Sequence, residues 1–508
     1  MKTLPNQIRK NKVLLNLAWD YIFKIVQIST SLLLARLILR AYGSEINGLI
    51  SSINQFLSVV AVTDMGVSTV IQSALYMPLV SGDKDKISSI MVSSSKFYQT
   101  IGFIMIIYTV CLCVLYPRFT ETSFDYWFVA SLIIILSIDS IVKYLFGVTR
   151  SMLLNADQHH YIQSCTSVIG LSLNFIFCMV LINSGYSIHI VKMITVCCYM
   201  INPIVYIWYT SKHYVIDWHI EYDVDPIKQK WDGFAYKITE FIYSYTDIIV
   251  LTFFSSLTNV SVYSVYNMVL TAIRQCFAAI STAMQPYLGL NMARKDVIKV
   301  REVFKTYNTI MHFFCTIIFG CTMTLIVPFV IIYTKGVTDA EYKVPDFALI
   351  LTIATYFRYY SIPFLDVIFA VGHFKQTQKY YLWAAVSNIL FSIIFVRSLG
   401  LTGVALGTLI SAFYNVVWQG RYAYAVVYGS KAKLFPIVQD LIKNIWILFM
   451  GYWFTKQISI HAESYYQWIG LGIIHFLVWF FAAILANLIV DRSELKELCR
   501  KIFRRYTK

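Results

Sequence analysis

Apolar runs longer than the ~18 residues that carry a helix across hydrocarbon recur along almost the whole chain. Lipid offers no partner for bare backbone groups, so runs of this kind must close their own hydrogen bonds as helices. With 508 residues, a mean hydropathy of +0.63 and 14% charged residues, no stretch is polar enough to form a separate soluble domain. The runs predict an all-α polytopic membrane protein of about fourteen transmembrane helices. The net charge of +15 fits that reading better than nucleic-acid binding, because Lys and Arg gather on alternate loops. Those loops are expected to face the cytosol with both termini, against anionic lipid headgroups. Met1 to Lys12 is basic and the following span is too long for a signal-peptide core, so the first helix is expected to be retained. Cys111, Cys113, Cys178, Cys197, Cys198, Cys315 and Cys321 lie within apolar spans. Their spacing gives neither a disulfide framework nor a metal-ligand pattern.

An internal echo organises the spans. Lys24 and Lys237, Asn54 and Asn267, and Asp83 and Asp296 all keep a separation of about 213 positions. Asn174 with Asn388, and Gly185 with Gly400, keep it to within two positions. Two pseudo-symmetric six-helix bundles follow, residues 1–210 and 237–430, joined by a cytoplasmic linker over 211–236. Two appended transmembrane helices fill 431–490, and residues 491–508 form a basic cytoplasmic tail. Lys143 and Arg358 stand at nearly the same separation, so each half is expected to place a cation on its fourth helix. Pro203 predicts a kink in the sixth span.

Charges inside apolar spans are the candidate functional residues. Each costs about 2.5–3.5 kcal/mol at the membrane centre unless it turns toward protein or water. In the seventh span Glu240, Tyr243 and Asp247 share one helical face, and in the eighth Asn267, Thr271 and Arg274 do the same. Asp247 and Arg274 read either as an ion pair locking two helices or as part of a transport site. In the first span Asp20, Lys24, Gln27 and Ser31 share a face; Asp20 and Lys24 either pair along the helix or line a lumen. The candidate substrate-binding set is Lys24, Lys143, Arg274 and Arg358 with Asn54 and Asn267. The acids Asp20, Asp64, Glu240 and Asp247 would balance them or bind a coupling proton or sodium ion. Adjacent His159 and His160, and the acids of the linker, read as solvated loop rather than metal ligands.

No nucleophile–base arrangement and no Walker-type phosphate loop stands out, so catalytic residues, a resident metal and direct ATP use are not expected. A duplicated helical bundle with buried cations suits alternating access for an anionic cargo, a phosphate or pyrophosphate above all. The 37 Tyr residues read as interface belts and packing, with some free to stack on sugar rings.

Gly43-Ser44-Glu45-Ile46-Asn47-Gly48-Leu49 and Thr63-Asp64-Met65-Gly66-Val67 carry a family resemblance. With the layout of six, six and two helices, the chain resembles polysaccharide-biosynthesis flippases of the Wzx type, within the multidrug/oligosaccharidyl-lipid/polysaccharide (MOP) exporter superfamily. The resemblance implies a MOP/MATE-like fold with a central cationic cavity in the bacterial cytoplasmic membrane. It implies transport of an undecaprenyl-pyrophosphate-linked glycan, with membrane lipids, a glycan polymerase and a chain-length regulator as partners. In related lipid II flippases, charges on the first helix and an arginine on the eighth line the cavity; Asp20, Lys24 and Arg274 stand at comparable positions. Trp19-Asp20 replaces an Arg-Asp pair here. The competing readings are a cation-coupled multidrug exporter, which would favour an acidic cavity, and a membrane glycan polymerase or transferase.

Overall fold

A computed structural model describes residues 6–60, 67–120, 122–220, 234–429, 435–457 and 462–490. Regular structure among them is helical. The first half contains α1 (Asn6–Leu57), α2 (Val67–Ser81), α3 (Lys84–Phe119), α4 (Tyr126–Val142), α5 (Val148–Ala156), α6 (His160–Asn183), α7 (Ile188–Tyr199) and α8 (Ile201–His213). The second contains α9 (Phe234–Phe254), α10 (Leu257–Ala293), α11 (Val297–Tyr333), α12 (Pro345–Tyr360), α13 (Ile362–Ala370) and α14 (Phe374–Tyr428). Two last helices, α15 (Phe435–Lys456) and α16 (Tyr465–Val490), follow. Nine helices among the described residues are long and apolar enough to cross a membrane. The chain is a multi-pass, all-α membrane protein, and its helices are consistent with fourteen crossings once bends and breaks are taken into account.

Those bends have local causes. α1 and α14 each hold two arms that turn at a glycine, Gly43 with φ 85° and Gly400 with φ 53°. A side chain would strain either backbone. Gly185, the repeat partner of Gly400, also takes a positive φ of 76° in the turn between α6 and α7. The sixth span breaks at Met200. Pro203 has no N–H to return to the Tyr199 carbonyl four residues earlier, so the break falls just ahead of it. The ninth span starts ten residues before its apolar stretch. Asp296 accepts the Lys299 backbone N–H at 3.0 Å and caps α11 there. Asp83 does the same for α3, accepting from the Lys86 backbone N–H at 3.1 Å. The Lys86 backbone N–H, with the Lys86 ammonium 3.3 Å away, holds the exposed Asp83 carboxyl below the usual carboxylate range.

The chain divides into two compact units, Met1–Phe241 with Ser256–Ser261, and Ile242–Ser255 with Val262–Lys508. In the first unit Leu132, Ile133, Leu153 and Tyr98 are fully buried between helices, while Phe103, Ile107 and Ile134 face outward. Outward apolar side chains are what a lipid-facing surface requires. In the second unit aromatic rings dominate the interior. Phe277 stacks on Phe319 at 5.8 Å between centroids, and Tyr359 stacks on Phe319 at the same distance. The fully buried Trp479 fixes α16. Gly320 of α11 and Gly451 of α15 leave room for its indole; a Cβ on either would come within 2.5 Å of the ring.

Candidate functional site

In the second unit Asp247, on α9, is buried at 5% exposure inside an apolar helix. Its charge is met by hydroxyls. The Tyr263 hydroxyl of α10 donates to Oδ2 at 2.9 Å. The Thr408 hydroxyl of α14 lies 2.8 Å from Oδ2 and 2.9 Å from Oδ1. Thr408 in turn accepts the Asn388 side-chain amide at 3.1 Å. This relay exists because α14 folds back at Gly400, which sets the Asn388 arm against the Thr408 arm. The Asn388 Oδ1 atom is buried with no partner. Carboxylate and hydroxyl oxygens therefore meet at Asp247, with the Asn388 amide donating from behind Thr408, an arrangement that suits a proton or a hard cation.

Two cations approach this group. Arg358 acts electrostatically on Asp247 and Tyr263, and Arg274 acts on Tyr263. Arg274 and Arg358 also oppose each other. The Arg274 Nε is buried without a hydrogen-bond partner. Asp247 forms no direct ion pair with Arg274 among the described residues, so hydroxyls, not a salt bridge, hold the carboxylate.

The fourth membrane helix is interrupted in both halves where its cation stands. In the first half α4 passes into a π-helical turn over Lys143–Gly147 before α5 resumes. In the second half α12 ends at Tyr360, two residues after Arg358, and α13 restarts beyond Ser361 with Pro363 in its first turn. Interrupted helices expose backbone groups and re-aim side chains, and they recur at functional sites. Lys143 borders a cavity of about 480 Å³ inside the first unit. Gln27, Asp139, Gln163, Tyr199 and Asn202 line it too. Asp139 lies one turn before Lys143, and Asn202 Oδ1 is buried without a partner.

No family model matches the chain, and no curated protein matches it in sequence. Solved structures do match its fold. A lipid II flippase, MurJ, in an inward closed conformation superposes with a TM-score of 0.69 at 14% identity, covering 95% of this chain and 100% of that one. An inward-facing multidrug resistance MATE family transporter of the MOP superfamily gives 0.61 at 14% identity, over 80% of this chain and 99% of the other. A MATE structure in complex with MaL6 gives 0.55 at 13% identity, over 82% and 96%. The fold is that of the MOP exporters.

Within this MOP fold the remaining predicted residues are scattered. Lys24 is exposed on α1. Asp20 does not pair with it; Asp20 Oδ1 meets His160 Nε2 at 3.0 Å and accepts the Ser164 hydroxyl at 2.5 Å, tying α1 to the start of α6. Asn54 is exposed on α1 and Asn267 half-buried on α10. Asp64 lies outside the described residues, as do the side chains of Glu240 and Tyr243 and the tail 491–508. His159 and His160 enter hydrogen bonds: His160 with Asn155 at 2.6 Å, and His159 with Asp157 at 3.2 Å and Lys12 at 3.1 Å. Burial pushes the Asp157 carboxyl up, but hydrogen bonds from His159 and from Tyr214 outweigh it and hold the group below the usual carboxylate range.

Three polar groups carry roles that the sequence did not assign. Lys192 is buried on α7, close to Cys178. Asp366 was visible as a charge in the tenth span, but its role was not. It accepts the Ser281 hydroxyl at 2.8 Å and the Tyr307 hydroxyl at 2.6 Å, binding α13 to α10 and α11. His312 on α11 meets Asp440 on α15 at 2.7 Å. For Lys192 and Asp366 the signal was there, a single charge in an apolar run; for His312 it was a lone histidine with its partner 128 residues away.

Proposed function

We propose that this chain is a flippase for an undecaprenyl-pyrophosphate-linked oligosaccharide. By alternating access it moves repeat units from the cytoplasmic to the outer leaflet of the bacterial cytoplasmic membrane, for surface polysaccharide assembly. The observation that carries the reading is the Arg274–Arg358 pair: two guanidinium groups that oppose each other, one with a buried donor unspent. Like charges kept together in a low-dielectric interior suit an anion carrying more than one charge. Lys143 offers a further cation beside hydroxyls, amides and the Tyr199 ring, groups that suit sugars. A solved neighbour named as a lipid II flippase supports a lipid cargo. Asp247, Thr408 and Asn388 would hold the coupling sodium ion or proton. A glycan polymerase and a chain-length regulator would take up the product.

The multidrug-exporter reading draws on the MATE neighbours, but the clustered arginines fit cationic drugs poorly. A test that separates the readings is removal of the protein followed by mass spectrometry of lipid-linked intermediates. A flippase leaves them accumulated on the inner leaflet; an unchanged pool rejects it. Restoring the protein as Arg274→Ala should leave its amount normal and export deficient. Normal export would remove Arg274 from the site.

A further inference from the structure

α15 docks on α11 and α12 through a polar cluster in which His312 and Lys443 are buried and Asp440 is partly exposed. His312 of α11 is 5% exposed. Its Nδ1 lies 2.7 Å from Asp440 Oδ2, and its Nε2 lies 3.1 Å from the Tyr360 backbone carbonyl. A carbonyl oxygen can only accept. A neutral imidazole has one N–H and one lone pair, so beside an ionised carboxylate it would set a lone pair against an oxygen at one end. The contacts close only when His312 and Asp440 together hold one more proton.

The other neighbours decide where that proton sits. Asp440 takes the Tyr360 hydroxyl on Oδ2 at 2.6 Å and the Lys443 ammonium on Oδ1 at 2.8 Å. A carboxylate supplied with donors at both oxygens stays ionised, which leaves the imidazole doubly protonated. The Tyr360 ring lies parallel to it at 3.6 Å between centroids with 8° between planes, a face that favours a cation. Around the cluster, α13 offers the apolar edge of Phe364, α12 also brings Tyr356, and α14 brings Tyr424. Asp440 and Lys443 already cancel. The extra proton is thus a net charge at the root of α15, while the neutral link from Thr316 to Asn444, at 3.2 Å, does not change with it.

We propose that His312 and Asp440 form a proton-binding site that fastens α15 to the second unit when occupied. Loss of the proton sets an imidazole lone pair against an oxygen and loosens the helix. The site shares no residue with the Asp247 cluster and does not depend on the identity of any cargo.

The test uses the full chain in lipid nanodiscs with ¹⁵N-labelled histidine, assigning His312 among the nine histidines by comparison with His312→Gln. Ring ¹⁵N shifts and amide hydrogen exchange are followed from about pH 5 to pH 9. Expected are two protonated ring nitrogens while α15 is held, and a rise of roughly tenfold or more in α15 exchange when one of those protons is lost. Asp440→Asn removes the anion and should leave the imidazole singly protonated at neutral pH. A His312 that is neutral throughout, or α15 exchange that does not follow its titration, overturns the proposal. A doubly protonated His312 in Asp440→Asn also overturns it.

Discussion

The two halves of the chain solve the same backbone problem and then diverge in charge. Asn174 on α6 and Asn388 on the first arm of α14 are repeat partners, and both are buried, at 2% and 0% exposure. Each reaches the next span. Asn174 donates to the Tyr199 hydroxyl at 3.5 Å and accepts the Cys178 thiol at 3.1 Å, with Lys192 buried nearby. Asn388 donates to Thr408, and Thr408 donates to Asp247. The same amide therefore serves a phenol and a thiol in one half and a carboxylate-bound hydroxyl in the other. The fourth helices repeat the lesson: both break near a cation, one through a π turn and one at Ser361. The turn, the cap and the helix break occur in both halves, where each answers a backbone requirement, while the side-chain charges differ.

The strongest way to break this comparison is to remove the two fourth-helix cations in turn. Arg358 lies near both Arg274 and Asp247, so Arg358→Ala should cut transport of the lipid-linked cargo by roughly 100-fold, the scale of a buried charge-assisted contact. Lys143 is more exposed, and Lys143→Ala should cost about tenfold. Flipping assays in proteoliposomes at matched protein amounts measure both. Equal losses would mean that the halves contribute alike, and a silent Arg358→Ala would detach the second-unit cluster from the cargo.

A second comparison is sharper, although its effects are smaller. Asn388→Ala should shift the sodium or pH dependence of transport, because it leaves Thr408, which holds Asp247, without its donor. Asn174→Ala touches no carboxylate directly and should act mainly on stability, by about 1–2 kcal/mol for its lost hydrogen bonds. Transport titrated against sodium and against pH, beside thermal unfolding of each variant, separates the two. If Asn174→Ala moved the ion dependence instead, the coupling site would belong to the first half.

Much of this architecture was written in local chemistry. The apolar runs set the helical class, and Asp83, Asp296, Gly185 and Gly400 stand where caps and left-handed turns admit few residue types. The candidate site was only partly legible. Asp247, Arg274 and Arg358 stood out as charges that hydrocarbon would not tolerate, and they do gather in one unit. Their connections did not stand out, since Thr408 and Asn388 are common residues until a fold-back sets them against a carboxylate. Asp20 was misleading for the same reason. Helical spacing offered Lys24 as its partner, while tertiary packing supplied His160 and Ser164. The π turn at Lys143 left no trace in the apolar pattern, because one extra residue in a turn barely disturbs hydropathy.

The weakest expected effect tests the duplication itself. Asp83 and Asp296 each accept the backbone N–H three residues on, at 3.1 and 3.0 Å, at the start of a long helix that follows the second span of its half. If the two caps are equivalent, Asp83→Ala and Asp296→Ala should lower the unfolding midpoint by the same small amount, about 1–2 °C in a chain of this size. Both helices are long and well packed, so most of their stability lies elsewhere. The Asp83 cap also carries a pH signature. Its carboxyl is held below the ordinary value by the Lys86 N–H, so its contribution is complete above the unfolded carboxylate range, about pH 4, and fades as pH falls through the lowered folded value. The gap between native protein and Asp83→Ala should therefore stay constant from neutral pH to mild acid and close only below about pH 4. A gap that closed near neutral pH would mean that the cap is not what Asp83 contributes.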